Sequence, residues 1–393
     1  MTEFHFQLGR ERELCLHELE NILNLSGYTL QDRNLPLPGV STNDSNFDPK
    51  SLCTPLGGCV RAIERIGDYS EDFLMEVESG AWFLPEGPWA ISALDPKLRS
   101  EREKLRSSVK TLVKQSEEAH GREERPKPGE LDLSPAKIQE LGFVDTGSEL
   151  CLWKEDERIL VGITRWVFDT QGFGDRDMNK PFRPRRRGLL PPKLARQMIN
   201  LGRTPKTWKI LDPFCGCGVT LLEGLDLGFQ VAGSDNRDEA IKQSVKNVDW
   251  YLSQSNSASK SSVAFIERID ARQLSTKIAP LSLDLVVGEG DLGPPIQGKL
   301  SRKAAAGFSG QLEPLYSRTF AEVRTTLRPG GRVCLAIPFW QPNEGDPIFI
   351  NIERKLRLIG YEPAFDEKGF EPFLYRRKDQ RVGRAIYVLK SPE

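Results

Sequence analysis

The sequence predicts an α/β protein, with a C-terminal parallel sheet wrapped by helices and an N-terminal α+β region. Three observations lead there. From about Asp175 onward the pattern runs strand, helix, strand, helix, with glycines at the joints. One joint, "ILDPFCGCGVTLLEG" (210–224), sets an acid and a cluster of small residues between an apolar strand and an apolar-patterned helix. Before Asp175 the segments are shorter, and alternating strands lie beside amphipathic helices.

Composition narrows the class. A chain of 393 residues suits two or three domains. We expect an α+β domain over 1–95, a charged helix, linker and further α+β region over 96–174, and the α/β domain over 175–393. With 38% hydrophobic and 28% charged residues, the chain reads as globular. No apolar run reaches the roughly 18 residues of a membrane span. The start "MTEFHFQLGRERE" lacks a signal peptide's apolar core, so a cytoplasmic location is expected. Seven cysteines are scattered without a disulfide framework or a C-x-x-C pair, which suits reduced thiols. The three histidines (His5, His17, His120) all lie in the N-terminal third, so neither a histidine metal site nor a Ser-His-Asp triad is supported, and no metal is expected. A net charge of −1 argues against indiscriminate polyanion binding, leaving any nucleic-acid contact to a local patch.

"FHFQLG" (4–9) alternates as a strand, and "ELCLHELENIL" (13–23) sets Leu16, Leu19, Ile22 and Leu23 on one helical face. The polar stretch 41–55 reads as a loop. "GCVRAIERIGDY" (58–69) and "WAISAL" (89–94) are core elements, followed by a charged helix over 96–118 and a linker, "HGREERPKPGE" (120–130). "SPAKIQELGF" (134–143) is a short helix capped by Ser134 with Pro135 at its first position. "ELCLWKEDERILVGITRWVF" (149–168) is a hairpin turning at 155–157.

In the α/β region, "LLPPKLARQMINL" (189–201) is a helix started by Pro192, with Leu194, Met198 and Leu201 on one face. "KILD" (209–212) is a buried strand, "VTLLEGLDLG" (219–228) a helix closed by Gly228, and "FQVAGSDN" (229–236) a strand ending in Asp235. Gly216 and Gly218 let a ligand approach the main chain, beside a helix N-terminus that favours polar or negative groups. Asp235 stands where a carboxylate at the second strand's tip grips ribose hydroxyls. An adenosine-containing cofactor follows. Leu221 breaks the G-x-G-x-x-G spacing of dinucleotide sites, which puts NAD behind S-adenosylmethionine. An ordinary glycine turn is the blander alternative.

"DPFCGCG" followed by "GSDN" resembles the D-P-F-C-G-S-G and G-x-D motifs of class I methyltransferases that act on exocyclic amino groups. The flanks "RDMNKPFRPRRRGLLPPKLARQMINLG" (176–202), "RRKDQRVGRAIYVLK" (376–390) and "GRERELCLHELENIL" (9–23) resemble the THUMP-type tRNA guanine-N2 methyltransferases, which modify a guanosine at position ten of tRNA. The resemblance is dense from about 134 to 250 and at the tail, and thin between 25 and 130. It implies a Rossmann-like domain with a seven-stranded, mostly parallel sheet, a THUMP-like N-terminal region, S-adenosylmethionine as cofactor and tRNA as substrate. It leaves open a small activator subunit or a homodimer.

By that resemblance the cofactor is held by Pro192, Asp212, Pro213, Phe214, Gly216, Gly218, Asp235, Asn236, Asp270 and Glu289. Asp270, ending "FIERID", serves the adenine ring or, alternatively, caps a helix. Arg183, Arg185, Arg186 and Arg187 clamp RNA phosphate or, as the bland alternative, form a basic turn. Amino methyltransferases carry [DN]-P-P-[YFW] after the fourth strand, the acid and a carbonyl accepting from the target amine while the ring stacks on the base. This chain has "EGDLGPP" (289–295), closer to an E-P-Y-L-G-P version. Glu289 takes the acid's place and Asp291 stands where the ring should be, and both are assigned to catalysis. Either another aromatic, such as Phe339 or Trp340, supplies the missing ring, or activity is altered or absent. A DNA or other-RNA amino methyltransferase and a catalytically inactive binding protein remain the alternatives, with a dehydrogenase behind them.

Overall fold

The computed structural model describes residues 1–183, 190–254, 262–296 and 298–393. The chain divides into two compact units, Met1–Gly172 and Phe173–Glu393.

The first unit contains β1 (Thr2–Leu8), α1 (Arg12–Leu25), β2 (Gly39–Thr42), β3 (Cys59–Asp68), β4 (Ala90–Ala93), α2 (Arg99–Gln115), β5 (Glu149–Glu155) and β6 (Arg158–Val167). They form one six-stranded sheet ordered β2-β1-β3-β6-β5-β4. Neighbours are antiparallel except β4 and β5. The division drawn at residue 95 from sequence runs through a single core, because Ile91 of β4 and Leu150 of β5 pack with Leu105 and Val109 of α2. The segment read as a linker is strapped to that core. Its backbone bridges Trp89 to Glu123, and the Glu123 carboxylate pairs with Arg106, Lys110 and Arg125. Three cations converging on one shielded carboxylate anchor a stretch that composition alone reads as free. The hairpin turns as expected, with Asp156 at φ +53°.

In the second unit, α3 (Thr170–Met178) carries the chain in from the first, followed by α4 (Pro192–Gly202), β7 (Lys209–Asp212), α5 (Val219–Asp226), β8 (Gln230–Asp235), α6 (Asp238–Gln254), β9 (Val263–Arg268) and β10 (Leu283–Glu289). Then come α7 (Arg302–Thr326), β11 (Leu327–Trp340), β12 (Ile348–Phe349), β13 (Glu362–Pro363), β14 (Phe373–Tyr375) and β15 (Val382–Lys390). The nine-stranded sheet follows the path β13-β15-β11-β10-β7-β8-β9, with β12 added to β11 and β14 to β15. Strands β7 to β11 are parallel. β15 runs antiparallel beside β11. Pro329–Gly331 form a bulge inside β11: Leu283 pairs with Leu327, and Leu285 already with Arg332. Chain order reverses at β7, which is flanked by β8 and β10, the point at which a doubly wound sheet places its ligand crevice, at the strands' carboxyl ends.

Candidate active site

Three adjacent parallel strands end in acids at that crevice: Asp212 on β7, Asp235 on β8 and Glu289 on β10. Asp212 is 3% exposed, and its Oδ1 accepts from the Phe214 N–H at 2.9 Å. A Cβ at Gly288 of β10 would stand 2.2 Å from that same Oδ1, so only glycine lets the carboxylate lie against the strand. Burial pushes the Asp212 carboxyl up to about 7; bonds from Thr220 and Phe214 oppose this, and the charges of Asp235 and Glu289 add to it.

This has a measurable consequence. A carboxyl at about 7 in the fold and near 4 in the unfolded chain keeps its proton longer in the native state, so its contribution to stability falls as pH rises between those values. The whole effect is worth up to about 4 kcal/mol. Thermal melts across pH 4 to 7 should show a decline that Asp212→Asn flattens. Parallel profiles for the two proteins would refute the assignment.

The glycine loop is held from several sides. Gly216 and Gly218 sit at φ +54° and +86°, in the left-handed region. A Cβ on Gly218 would meet Ser244 Oγ of α6 at 2.7 Å, whereas at Gly216 the nearest neighbour, Phe214 O, would be 3.8 Å away. Gly218 is thus a packing requirement, and Gly216 faces open space. Asn247 of α6 ties the loop to the preceding segment. Its Nδ2 donates to Cys217 O at 2.8 Å and to Phe182 O at 2.9 Å, and its Oδ1 accepts from the Phe182 N–H. Pro213 is buried beside the loop, and Phe214 is half-buried. Pro192 opens α4 at its first turn and is buried.

Asp235 accepts from the Gly216 N–H at 3.2 Å and from Arg237 through both its oxygens. Asn236 next to it is exposed. Asp270 does what the alternative reading expected: it caps the 3₁₀ turn Ala271–Thr276 through the Arg272 N–H and pairs with the Arg272 guanidinium.

The target loop after β10 departs from expectation in a way the structure explains. A side chain at Gly290 would meet the Tyr316 ring and hydroxyl at 2.5 Å. Tyr316, buried on α7, donates from its hydroxyl to Asp291 O at 2.5 Å. Its ring therefore fills the space and braces the loop where other motifs carry proline. Asp291 is exposed, and its Oδ1 accepts from the Gly293 N–H, closing a local turn. The expected substitute rings are not available. Phe339 and Trp340 are 3% and 0% exposed, and Phe339 stacks on Phe349 at 5.0 Å. Their place in β11, covered by β12 and α7, buries them.

Glu289 is paired. Arg384 on β15 donates from Nε to its Oε1; the two side chains are 6% and 11% exposed. Burial raises the Glu289 carboxyl and the arginine opposes that rise. Of the basic cluster, Arg183 pairs with Asp177 at 3.2 Å, while Arg185, Arg186 and Arg187 lie outside the described residues. Sequence reading missed Asn247, Tyr316 and Arg384. Only Arg384 left a signal, as a charge inside an otherwise apolar strand. Among the described residues no group of His, Cys, Asp and Glu could hold a metal ion.

Strand order, antiparallel β15 and the acids at the crevice define a class I methyltransferase fold. Residues 181–283 match the family model described as RMKL-like, methyltransferase domain. Relatives named tRNA (guanine(10)-N2)-dimethyltransferase share 29% identity over 153 residues in Methanothermobacter thermautotrophicus, covering 39% of this chain and 40% of that one. The protein of that name in Methanocaldococcus jannaschii is 30% identical over 149 residues, covering 36% and 41%. In Pyrococcus abyssi the figures are 36% over 95 residues, covering 24% and 28%. The matches thus span at most about two fifths of these relatives' length. Among solved structures, TrmN from Thermus thermophilus aligns over 99% of both chains with a TM-score of 0.53 at 16% identity. A possible methylase from Clostridium difficile 630 aligns over 100% of this chain and 98% of its own, with a TM-score of 0.50 at 13% identity. At such identities these structures speak for the fold alone.

Proposed function

We propose that this protein is an S-adenosylmethionine-dependent methyltransferase acting on the exocyclic N2 amine of a guanosine in tRNA, of the position-ten type. The observation that carries this reading is the meeting of Asp212, Asp235 and Glu289 at the crevice behind the glycine loop. The methyltransferase-domain match and the names of the relatives support it.

The residues present fit the cofactor. A buried carboxyl with no basic partner among the described residues (Asp212) suits a cationic ligand, and the open space at Gly216 suits one lying on the main chain. Pro192, Pro213, Phe214, Gly216 and Gly218 line its path. Asp235 and Asn236 take the ribose, Asp235 exchanging its Arg237 bonds for hydroxyls, and Asp270 borders the adenine. When bound, the cofactor supplies an activated methyl group on a sulfonium.

The chain's own work is to position and to accept a proton. Glu289 Oε2, the oxygen Arg384 leaves open, accepts from the target N–H and takes the proton released once nitrogen is alkylated. A base inside paired RNA must be flipped out to reach it. The first unit and Arg183 to Arg187 make the RNA contacts, Asp291 borders the base, and a tRNA substrate agrees with a cytoplasmic location. Among the described residues no helix is long and apolar enough to cross a membrane.

Nucleoside mass spectrometry of tRNA from cells with and without this protein tests the reading. Loss of an N2-methylated guanosine is expected, and an unchanged nucleoside profile refutes it. Radiolabelled transfer to tRNA against DNA separates the nucleic-acid alternatives. The exposed, non-aromatic Asp291 favours a second reading, a cofactor-binding protein without turnover, and tight cofactor binding with no transfer to any nucleic acid would establish that one. Asp235→Ala should weaken cofactor binding by roughly tenfold or more by calorimetry, the scale of hydrogen bonds to a charged group. Unchanged affinity would remove Asp235 from the ribose site.

A further inference from the structure

We infer that Arg384 is a positioning residue for the proposed reaction, orienting Glu289 so that one carboxylate oxygen is tied and the other faces the target amine. The inference rests on the catalytic assignment of Glu289 above, and its first test needs neither substrate nor cofactor.

The geometry is specific. Arg384 comes from β15, two strands from β10, and reaches across β11 to Glu289 Oε1. No hydrogen bond to Glu289 Oε2 is found among the described residues. The guanidinium carbon of Arg384 also lies 5.7 Å from the centre of the Tyr375 ring, and Tyr375 of β14 is the register partner of Arg384. The arginine is therefore flanked by an aromatic face within cation–π range as it meets the acid. A planar guanidinium bonding through Nε fixes the direction of its partner carboxylate more closely than a rotating ammonium could.

A neighbouring acid provides the internal control. Asp212 and Glu289 are both buried at adjoining strand ends, and both are pushed upward by burial. Asp212, with no cation, reaches about 7. Glu289 has Arg384 to oppose the same force. Its other titratable neighbours are Asp212 on β7 and Tyr316 on α7, and Asp291 of the target loop faces that same tyrosine. Burial drives the Tyr316 hydroxyl far above its ordinary range, so it stays neutral. Arg384 is thus the one cation facing Glu289 among the described residues, and it opposes the upward push of burial on the acceptor carboxyl.

The experiment follows the Glu289 carboxyl carbon by ¹³C-detected titration in the full-length protein without cofactor, assigned by Glu289→Gln. In the unsubstituted protein Glu289 should titrate below Asp212, and an order with Glu289 above Asp212 overturns the inference without any variant. Arg384→Met should move the Glu289 midpoint upward by at least one pH unit. The acidic limb of kcat should move with it, while the cofactor Kd stays within about twofold. Arg384→Lys, which keeps the charge, should restore the midpoint and only part of kcat, because the directional Nε–H bond is lost. If Arg384→Met does not fold, Arg384→Lys carries the test. Full kcat in that variant would show that charge alone matters and orientation does not. An unmoved midpoint in Arg384→Met would equally refute the inference. Should Glu289→Gln prove fully active on tRNA while the midpoints move as expected, the catalytic assignment fails and the ion pair stands.

Discussion

Replacing Glu289 with glutamine is expected to lower methyl transfer to tRNA by about 10²- to 10⁴-fold, the range spanned by a positioned proton acceptor. Glutamine keeps the volume of the side chain and an oxygen for Arg384 Nε, so the loop and the cofactor crevice should survive. It loses the negative charge and cannot take the amine proton. Alanine is the poorer choice, since it would strand the buried guanidinium of Arg384 and mix folding with chemistry. Single-turnover transfer from labelled cofactor into tRNA measures the effect, with cofactor affinity as the control. Transfer within a few fold of the unsubstituted protein would take Glu289 out of the mechanism.

The second large effect concerns stability. Glu223 on α5 accepts from Arg176 Nε at 2.7 Å and from Arg196 Nε at 2.8 Å, and is 1% exposed. Asp226 joins the group, pairing with Arg196, with Arg176 at 3.4 Å and with the Tyr251 hydroxyl. Both guanidinium groups lie over the Phe173 ring, at 4.5 and 4.7 Å. This cluster locks α3 and α4 onto α5, the helix that follows the glycine loop. Glu223→Ala leaves two buried cations to one acid whose side chain is 27% exposed. We expect a loss of about 3–5 kcal/mol, the usual penalty for uncovering a buried charge. For a unit of this size that is a fall in Tm on the order of 10 °C by calorimetry. A fall of only a degree or two would mean that the cluster's desolvation already cancels its attraction.

Much of the site was readable before any coordinates. Asp212, Gly216, Gly218 and Asp235 follow from a local rule, that a strand, a glycine turn and a helix in succession place an acid and bare backbone at one point. Glu289 was reached by resemblance, as the acid of the loop that follows the fourth strand in amino methyltransferases. What failed were statements about rings and charges that depend on distant segments. Phe339 and Trp340 end a strand and looked free to stack, yet β12 and α7, contributed by other parts of the chain, cover them. The Gly290 departure looked like a loss until Tyr316, 26 positions later, proved to occupy the space.

The amino-acid order by itself determined where strands, turns and helices lie in the second unit and which acids end the strands, because periodicity and glycine conformation act over a few residues. The tertiary structure alone decided which charge meets which. It set Arg384 against Glu289, 95 residues apart, and left Asp212 without a cation. Side-chain electrostatics in a buried crevice depends on through-space distance and on water exclusion, and neither is encoded at any one position of the chain.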